Sequence, residues 1–342
     1  MAKRGLIDRR LAKVKELPFC PGCQYGKQSR KKWRSKGSKS GNKNKIRKAS
    51  QPDEAISIDT MTSVSVPGLM PQLKGKCTTK RFHYATVFVD HFSDLDYVYL
   101  HEKNDADSVV NAKLDFERFA NSFNIRVKRY HCDNGVFADN KFRRACKSAN
   151  QKLTFCGVNT HHQNGIAKRR IRSLWDSSRL MLLMAKHNWP KAITAHLWPF
   201  AFKYASILRQ HFIGNKKRNS PLQLFSRMHG EETPLQEFHT FGCPVYNLDT
   251  KLQAGRPQSN KWEDRSRIGI YLGVSQEHAT SVSLVLNPAT GLTSPQFHLR
   301  HDDKFETVRL DPLMKDIGKW QSITKINVKT AQKSVDANHL PN

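Results

Sequence analysis

The stretch that decides the fold lies between residues 82 and 90 and reads Phe82-His-Tyr-Ala-Thr-Val-Phe-Val-Asp90. β-Branched and aromatic residues dominate it, which is typical of a strand. Turn-forming residues follow at Ser93-Asp94, and a second run of the same character extends from Tyr97 to Leu100. Because the two runs flank a short turn, we expect them to form an antiparallel hairpin.

The segments around this hairpin alternate between strand and helix patterns. Before it, residues 55–60 form a short alternating strand, followed by a polar insert over 67–80. After it, the hydrophobic spacing predicts a helix over 105–123, a strand over 124–130, a helix over 140–149, a strand over 153–156, a long helix over 165–186 and an aromatic-rich helix over 189–208. This order predicts an α/β core of the RNase H-like class, with a mixed five-stranded sheet and helices.

The pattern changes again at residue 241. Short strands over 267–273, 281–286 and 293–299 predict a small SH3-like β domain with a barrel-like, curled sheet. The predicted organisation is a basic, mostly disordered segment over 1–50, the core over 51–215, a linker over 216–240, the small β domain over 241–310 and a tail over 311–342.

The charge is strongly and unevenly positive. Lys and Arg number 58 against 29 Asp and Glu, a formal net charge of +29 and a pI near 10.0. This excess argues against a housekeeping metabolic enzyme and for a polyanionic partner, most simply nucleic acid. Residues 1–50 hold seventeen Lys or Arg but only Asp8 and Glu16. The segment is interpreted as a nucleic-acid tail, a nuclear-localisation patch or a soluble linker.

Localisation is constrained by what the sequence lacks. No apolar run approaches the ~18 residues of a membrane span, and no apolar region of a secretory signal follows the start. The seven scattered cysteines fit reduced thiols rather than a disulfide framework. We therefore expect an intracellular, nuclear protein that is neither secreted nor bound to a membrane.

Two carboxylates stand where a metal site could form. Asp59 lies on the first strand and Asp133 ends the fourth, just before Asn134-Gly135. In an RNase H-like sheet these strands are neighbours, so both carboxylates can face one place. Paired carboxylates can hold two Mg²⁺ or Mn²⁺ ions about 4 Å apart for phosphodiester chemistry. Alone, an Asp-Asn-Gly sequence more often forms a turn.

Several motifs together make the chain resemble the integrase segment of copia-type retrotransposon polyproteins, closest to those of diatom-like algae. The motifs occur in collinear order and are Phe19-Cys-Pro-Gly-Cys-Gln-Tyr-Gly-Lys27, Tyr84-Ala-Thr-Val-Phe-Val-Asp90, Asp133-Asn-Gly135, His161-His-Gln-Asn-Gly-Ile-Ala-Lys-Arg-Arg-Ile-Arg172, Phe241-Gly-Cys-Pro-Val-Tyr246, Arg267-Ile-Gly-Ile-Tyr-Leu-Gly273 and Ser294-Pro-Gln-Phe-His298. The resemblance covers about residues 19 to 308. The number of motifs makes it more specific than any single motif would be.

The resemblance implies metal-dependent strand transfer by two aspartates and a glutamate on DNA ends. The aspartates fall on Asp59 and Asp133, which would hold Mg²⁺ or Mn²⁺, but the glutamate falls on Lys168. No Asp or Glu occurs between Lys141 and Trp175 that could substitute. We therefore expect DNA binding with impaired catalysis. The alternatives are a non-catalytic basic nucleic-acid-binding protein and a decayed relic.

Further candidate residues flank this triad. Cys20 and Cys23 match half of the family's His-His-Cys-Cys zinc domain, but no histidine precedes them, so the zinc site is incomplete. The start of the long helix suits phosphate contacts, and the predicted DNA-binding residues are Gln163, Asn164, Arg169, Arg170 and Arg172. A solvated cationic face is the alternative. The resemblance implies DNA partners, both element cDNA ends and target DNA, and a possible homo-oligomer.

We predict that Trp175, Trp189, Trp198 and Trp262 pack in the core or between domains, rather than acting as platforms on which bases stack.

Overall fold

A computed structural model of the chain shows two compact units, each built from non-consecutive parts of the sequence. The described residues of the first unit lie within 1–65, 82–177 and 205–234, and those of the second within 66–81, 178–204 and 235–342. The structure describes residues 20–27, 49–52, 54–70, 72–73, 76–77, 80–157, 164–214, 219–228, 235–255, 260–279 and 281–311.

The first unit contains a mixed five-stranded sheet. Its strands are β1 (Ile56–Thr62), β2 (Tyr84–Asp90), β3 (Asp96–His101), β4 (Arg129–Cys132) and β5 (Lys152–Phe155). They lie in the order β3-β2-β1-β4-β5. The pairs β3/β2 and β2/β1 are antiparallel, whereas β1/β4 and β4/β5 are parallel. This is the strand order of an RNase H-like core, so the predicted fold class is confirmed.

Helices complete both units. Their bounds are α1 (Pro21–Lys27), α2 (Ala106–Asn121), α3 (Asn140–Ser148), α4 (Gly165–Asn188), α5 (Trp198–His211), α6 (Pro221–Ser226), α7 (Thr250–Gln253) and α8 (Glu306–Leu310). Single 3₁₀ turns occur at Val136–Ala138, Ala195–Leu197 and Leu235–Glu237. Within the described part of the chain, no helix has both the length and the apolar character that crossing a bilayer requires.

The core of the first unit is formed by one face of the sheet and α2. Asp105 caps this helix by accepting a hydrogen bond of 2.9 Å from the Ser108 N–H, which fixes where the helix begins. The buried face of α2 presents Phe116, whose ring stacks on that of Phe88 with 4.6 Å between centroids. Phe88 belongs to the stretch that predicted the hairpin, so this stretch supplies the centre of the core.

The second unit contains a five-stranded antiparallel sheet. Its strands are β6 (Pro244–Leu248), β7 (Ser266–Val274), β8 (Ser283–Leu286), β9 (Thr293–Gln296) and β10 (Leu299–His301), in the order β9-β8-β7-β6-β10. The three predicted strands are present, and the last of them is split into β9 and β10. Its closure into a barrel-like domain stays a prediction.

The insert between β1 and β2 contains further strands of two residues each. Their bounds are Gly68–Leu69, Gln72–Leu73, Lys76–Cys77 and Arg81–Phe82.

The compact units do not follow the predicted boundaries. Residues 66–81 and 178–204 lie inside the predicted core of 51–215 but group with the second unit. The reason is specific contacts within that unit: Trp189 Nε1 donates to the Gly242 carbonyl at 2.8 Å, and Trp198 Nε1 donates to the Val66 carbonyl at 3.0 Å. Of the predicted basic, mostly disordered segment over 1–50, the structure describes only residues 20–27 and 49–50, and the predicted tail beyond Asp311 lies outside the described residues.

Candidate functional site

The site lies where the parallel strands β4 and β5 end beside the middle of β1. Ser57 of β1 pairs with His131 of β4 in the parallel register. The same offset, carried two residues further along each strand, places Asp133 beside Asp59. Because adjacent strands lie about 4.8 Å apart, the two carboxylates start from neighbouring backbone positions on the same face of the sheet. The structure therefore brings together the two aspartates that the sequence predicts.

A cysteine continues this row on the next strand. Cys132 of β4 pairs with Phe155 of β5, and the same offset places Cys156 beside Asp133. The backbone N–H of Cys156 donates to the Cys132 carbonyl at 3.0 Å, which extends the parallel ladder to this row. Asp59 within β1, Asp133 directly after β4 and Cys156 directly after β5 therefore lie side by side at one level of the sheet.

Lys168 enters the same place from α4. Its Nζ lies 3.6 Å from Asp133 Oδ2, and the two side chains are 39% and 24% exposed. The side chain at the position where the resemblance implies a glutamate thus faces the second aspartate and forms an ion pair with it. Solvent reaches both partners, so the pair stabilises the fold only slightly, but it occupies the space next to the carboxylate.

The pKa of the Cys156 thiol is affected by the charges of these neighbouring groups. Burial raises the pKa of its thiol most, and the charges of Asp133 and Asp59 raise it further. The charge of Lys168 lowers this pKa, as does a hydrogen bond from the backbone of Asn164. The thiol is therefore within electrostatic range of both aspartates and the lysine.

Asn134 joins the strand ends that carry these residues. Its Nδ2 donates to the Cys156 carbonyl at 2.9 Å, and its backbone N–H donates to Asp133 Oδ1 at 2.7 Å. The first bond ties the end of β4 to the end of β5, and the second orients the carboxylate. Asn134 and Cys156 were not among the predicted site residues; the parallel register of β1, β4 and β5 is the signal that identifies their position.

Asn164 anchors the start of α4 instead of facing solvent. It is completely buried, and its Nδ2 donates to the Ile58 carbonyl at 2.8 Å. Its Oδ1 has no hydrogen-bond partner among the described residues. The residue fixes the helix against β1 next to Asp59 and so sets the place of Lys168, one turn further on. Asn164 is therefore not available for the DNA contact that the sequence predicts.

Arg170 is likewise engaged inside the first unit. Its guanidinium bonds to the carboxylate of Asp96, which is buried, and to Asp94 Oδ1 at 2.6 Å. Only 7% of the Arg170 side chain is exposed, so it too is removed from the proposed DNA contacts. Arg169 and Arg172 are exposed, whereas Gln163 lies outside the described residues.

The residues present do not fit the metal pair that the resemblance implies. Within the described ranges, no group of three His, Cys, Asp or Glu side chains is placed to hold a metal ion. Two carboxylates remain at the site, and the Lys168 ammonium lies at the position of the third ligand. A cation fixed there repels a divalent ion that approaches Asp133.

The zinc prediction stays a prediction. Cys20 directly precedes α1 and Cys23 lies in the first turn of this helix, with the Cys23 N–H donating to Cys20 Sγ at 3.4 Å. Both are partly buried and free of disulfides. The described residues next to them are only those up to Lys27, so the structure adds no further ligand.

Comparisons with known proteins give similarity to retroviral integrases at low identity. No family model matches the chain. A chain of the simian T-cell lymphotropic virus intasome in complex with a PP2A regulatory subunit is 16% identical, with a TM-score of 0.41, over 75% of this chain and 81% of that chain. The HTLV-2 integrase catalytic core domain in complex with magnesium is 18% identical, with a TM-score of 0.37, over 51% of this chain and 97% of that one.

A third similar structure is the catalytic core domain of BIV integrase. It is 15% identical with a TM-score of 0.36, over 51% of this chain and 95% of that chain. Scores of this size carry no functional argument. The RNase H-like class of the first unit accordingly rests on its own strand order, with Asp59 in β1 and Asp133 directly after the adjacent β4.

Proposed function

We propose that the chain is a retrotransposon integrase of the copia type that binds DNA but transfers DNA strands inefficiently. The observation that carries the proposal is the ion pair between Lys168 Nζ and Asp133 Oδ2, 3.6 Å apart. It lies at the end of β4, an inner strand of an RNase H-like sheet. The reaction class is attack of a DNA 3′-hydroxyl on a target phosphodiester. That reaction needs divalent metal ions held by carboxylates, and this site offers an ammonium in place of the third.

The charge of Lys168 acts strongly on a metal ion that approaches this site. At an effective dielectric constant of ~20 and a distance of ~4 Å, a unit charge and a divalent ion interact by roughly 8 kcal/mol. Replacing a carboxylate by an ammonium reverses the sign of this interaction. The flexible stem of lysine can move the charge aside, which reduces the repulsion but leaves the third ligand missing.

DNA is the partner that the charge supports best. The chain has a formal net charge of +29, and the first two turns of α4 expose Arg169 and Arg172 beside Lys168. Cations at the start of a helix, where backbone N–H groups are unpaired, attract phosphates. We propose that Arg169 and Arg172 contact the DNA backbone. A homo-oligomer and a nuclear location are also proposed, on the resemblance alone.

The test is strand transfer with purified protein and with the Lys168→Glu variant, in Mg²⁺ or Mn²⁺. We expect no efficient transfer by the unchanged chain and a clear gain in Lys168→Glu, because the substitution completes a set of three carboxylates. Adding Asp59→Asn to Lys168→Glu should remove the gain. Equal activity of the unchanged chain and Lys168→Glu would refute the loss of catalysis.

A further inference from the structure

Trp262 is the large hydrophobic side chain that the described structure exposes most. It is 93% exposed, compared with 59% for Phe297 in the same unit. The sequence led us to expect this tryptophan in the core or between domains, and in the structure its side chain is exposed. A single exposed apolar residue is ordinary, so exposure alone assigns it no role.

Trp262 belongs to a turn that a hydrogen bond to its own backbone closes. It lies in the connection between β6 and β7, which the Asp249 N–H closes by donating to the Arg265 carbonyl at 2.9 Å. Asn260 forms a tight turn there, since its Oδ1 accepts from the Trp262 N–H at 3.1 Å. The turn fixes the backbone of Trp262 next to Asn260, and the side chain is almost fully exposed.

The charges around the indole are mixed, with a small positive excess. Every residue from Asn260 to Arg267 is exposed. This segment contains three cations and two acids, which gives it a net charge of +1. The cations are Lys261, Arg265 and Arg267, and the acids are Glu263 and Asp264. Such a segment attracts a phosphate next to the indole but not the continuous backbone of a duplex. Stacking, rather than charge, must then supply most of the free energy of binding.

We propose that Trp262 is a stacking site for an unpaired base of a DNA strand, with Lys261 and Arg265 contacting the phosphates beside that base. Aromatic side chains next to cations bind single strands in this way, because every base has a face that can stack. Duplex DNA keeps its bases stacked on each other and cannot use the indole. The proposal rests on the proposed DNA-binding function and adds a preference for unpaired nucleotides in the second unit.

The test compares the full chain with Trp262→Ala, and with Phe297→Ala as the matched control. The probes are an oligothymidine of about ten nucleotides and a duplex of equal length. We expect Trp262→Ala to weaken oligothymidine binding roughly tenfold or more, with duplex binding unchanged. Phe297→Ala should leave both affinities unchanged. Trp262→Phe should recover part of the loss, because it keeps a ring.

Two further measurements separate stacking from charge. The loss caused by Trp262→Ala should be the same at low and high salt, because stacking is not screened, whereas Lys261→Gln should lessen the salt dependence. Oligothymidine should quench tryptophan fluorescence of the unchanged chain and quench Trp262→Phe much less.

Some results would overturn the proposal. Unchanged oligothymidine binding by Trp262→Ala, with duplex binding intact, would refute the stacking site and leave the proposed function standing. Failure of the unchanged chain to bind any DNA would refute both. Loss of self-association in Trp262→Ala with unchanged DNA binding would assign the indole to a contact between copies of the chain.

Discussion

Single residues at the start of α4 have separate tasks that their shared motif does not reveal. Asn164 fixes the helix to β1, Lys168 pairs with Asp133, and Arg170 binds two aspartates of the first unit. Arg169 and Arg172 remain exposed. The residues differ in direction because helical neighbours are rotated about 100° from each other.

The first residue-scale prediction concerns Arg170. Replacing it by alanine leaves the Asp96 carboxylate, which is 1% exposed, without its main charge partner. We expect Arg170→Ala to lower the free energy of unfolding by about 3 kcal/mol. The exposed Arg172→Ala should change it by less than about 0.5 kcal/mol. Urea unfolding followed by circular dichroism measures both, and equal effects would show that the Arg170 ion pair is unimportant.

The second residue-scale prediction concerns DNA binding. Arg169→Ala combined with Arg172→Ala should weaken duplex binding and lessen its salt dependence, by about 0.9 per phosphate contact in the slope of log affinity against log salt concentration. The control is Arg144→Ala combined with Lys147→Ala, which removes two exposed cations from α3. Similar losses in both doubles would mean that only net charge matters and that the start of α4 has no special role.

The limits of sequence reasoning are clearest at this scale. The sequence pointed to Asp59 and Asp133 through the order of the predicted strands and to Lys168 through the resemblance, and neither requires knowledge of contacts. It did not separate Asn164 and Arg170 from exposed neighbours, because their partners, Ile58 and Asp96, are distant in sequence. Burial of a polar side chain depends on which partner folding brings to it, and that information is not local.

At the scale of elements, local patterns predicted most of the helices and strands. The cap at Asp105 and the apolar stripe of α2 are both visible in the sequence, and β1, β2 and β3 follow from alternation. The strand predicted over 124–130 was misplaced, since β4 comprises Arg129–Cys132. Residues 125 and 127 are buried without belonging to a strand, so their alternation reflects packing and not a ladder.

An element-scale prediction arises where α4 meets the start of β6. Gly242 has φ +84°, and a Cβ on it would lie 2.4 Å from the Ala185 Cβ. Gly242→Ala should therefore lower the free energy of unfolding by about 2–4 kcal/mol, from backbone strain and overpacking together. Gly255 is the matched control, because it has φ +69° with no atom near such a Cβ.

The expected cost of Gly255→Ala is about 1 kcal/mol, from backbone strain alone. Thermal unfolding of the two variants measures the difference. Equal destabilisation would show that the close approach to Ala185 adds nothing.

At the scale of the whole molecule, two half-buried histidines contribute to the response to acid. Burial lowers the pKa of His91 to about 4 from 6.5, with His131 and Arg129 adding to the effect. Burial also lowers the pKa of His301 to about 4, and the charge of His239, whose ring stacks on that of His301, lowers it further. Both imidazoles are therefore neutral in the folded protein at pH values where the unfolded chain is protonated.

The resulting prediction is a loss of stability between pH 6.5 and about 4. In this window the unfolded chain binds more protons than the folded one, so the free energy of unfolding falls as the pH falls. Above pH 6.5 the contribution is fully present. Urea midpoints measured across this range check it, and His301→Gln should flatten the curve. The exposed His187→Gln should not, and equal curves for all three proteins would contradict the assignment.

The distribution of the two units along the chain has a consequence for how such a protein can be taken apart. Residues 66–81 and 178–204 interrupt the first unit in sequence yet fold with the second. Trp189, for example, would lose the carbonyl of Gly242 if the chain were cut after residue 234. Neither unit can thus be expressed alone from one continuous segment, because every segment that contains one whole unit also carries residues of the other.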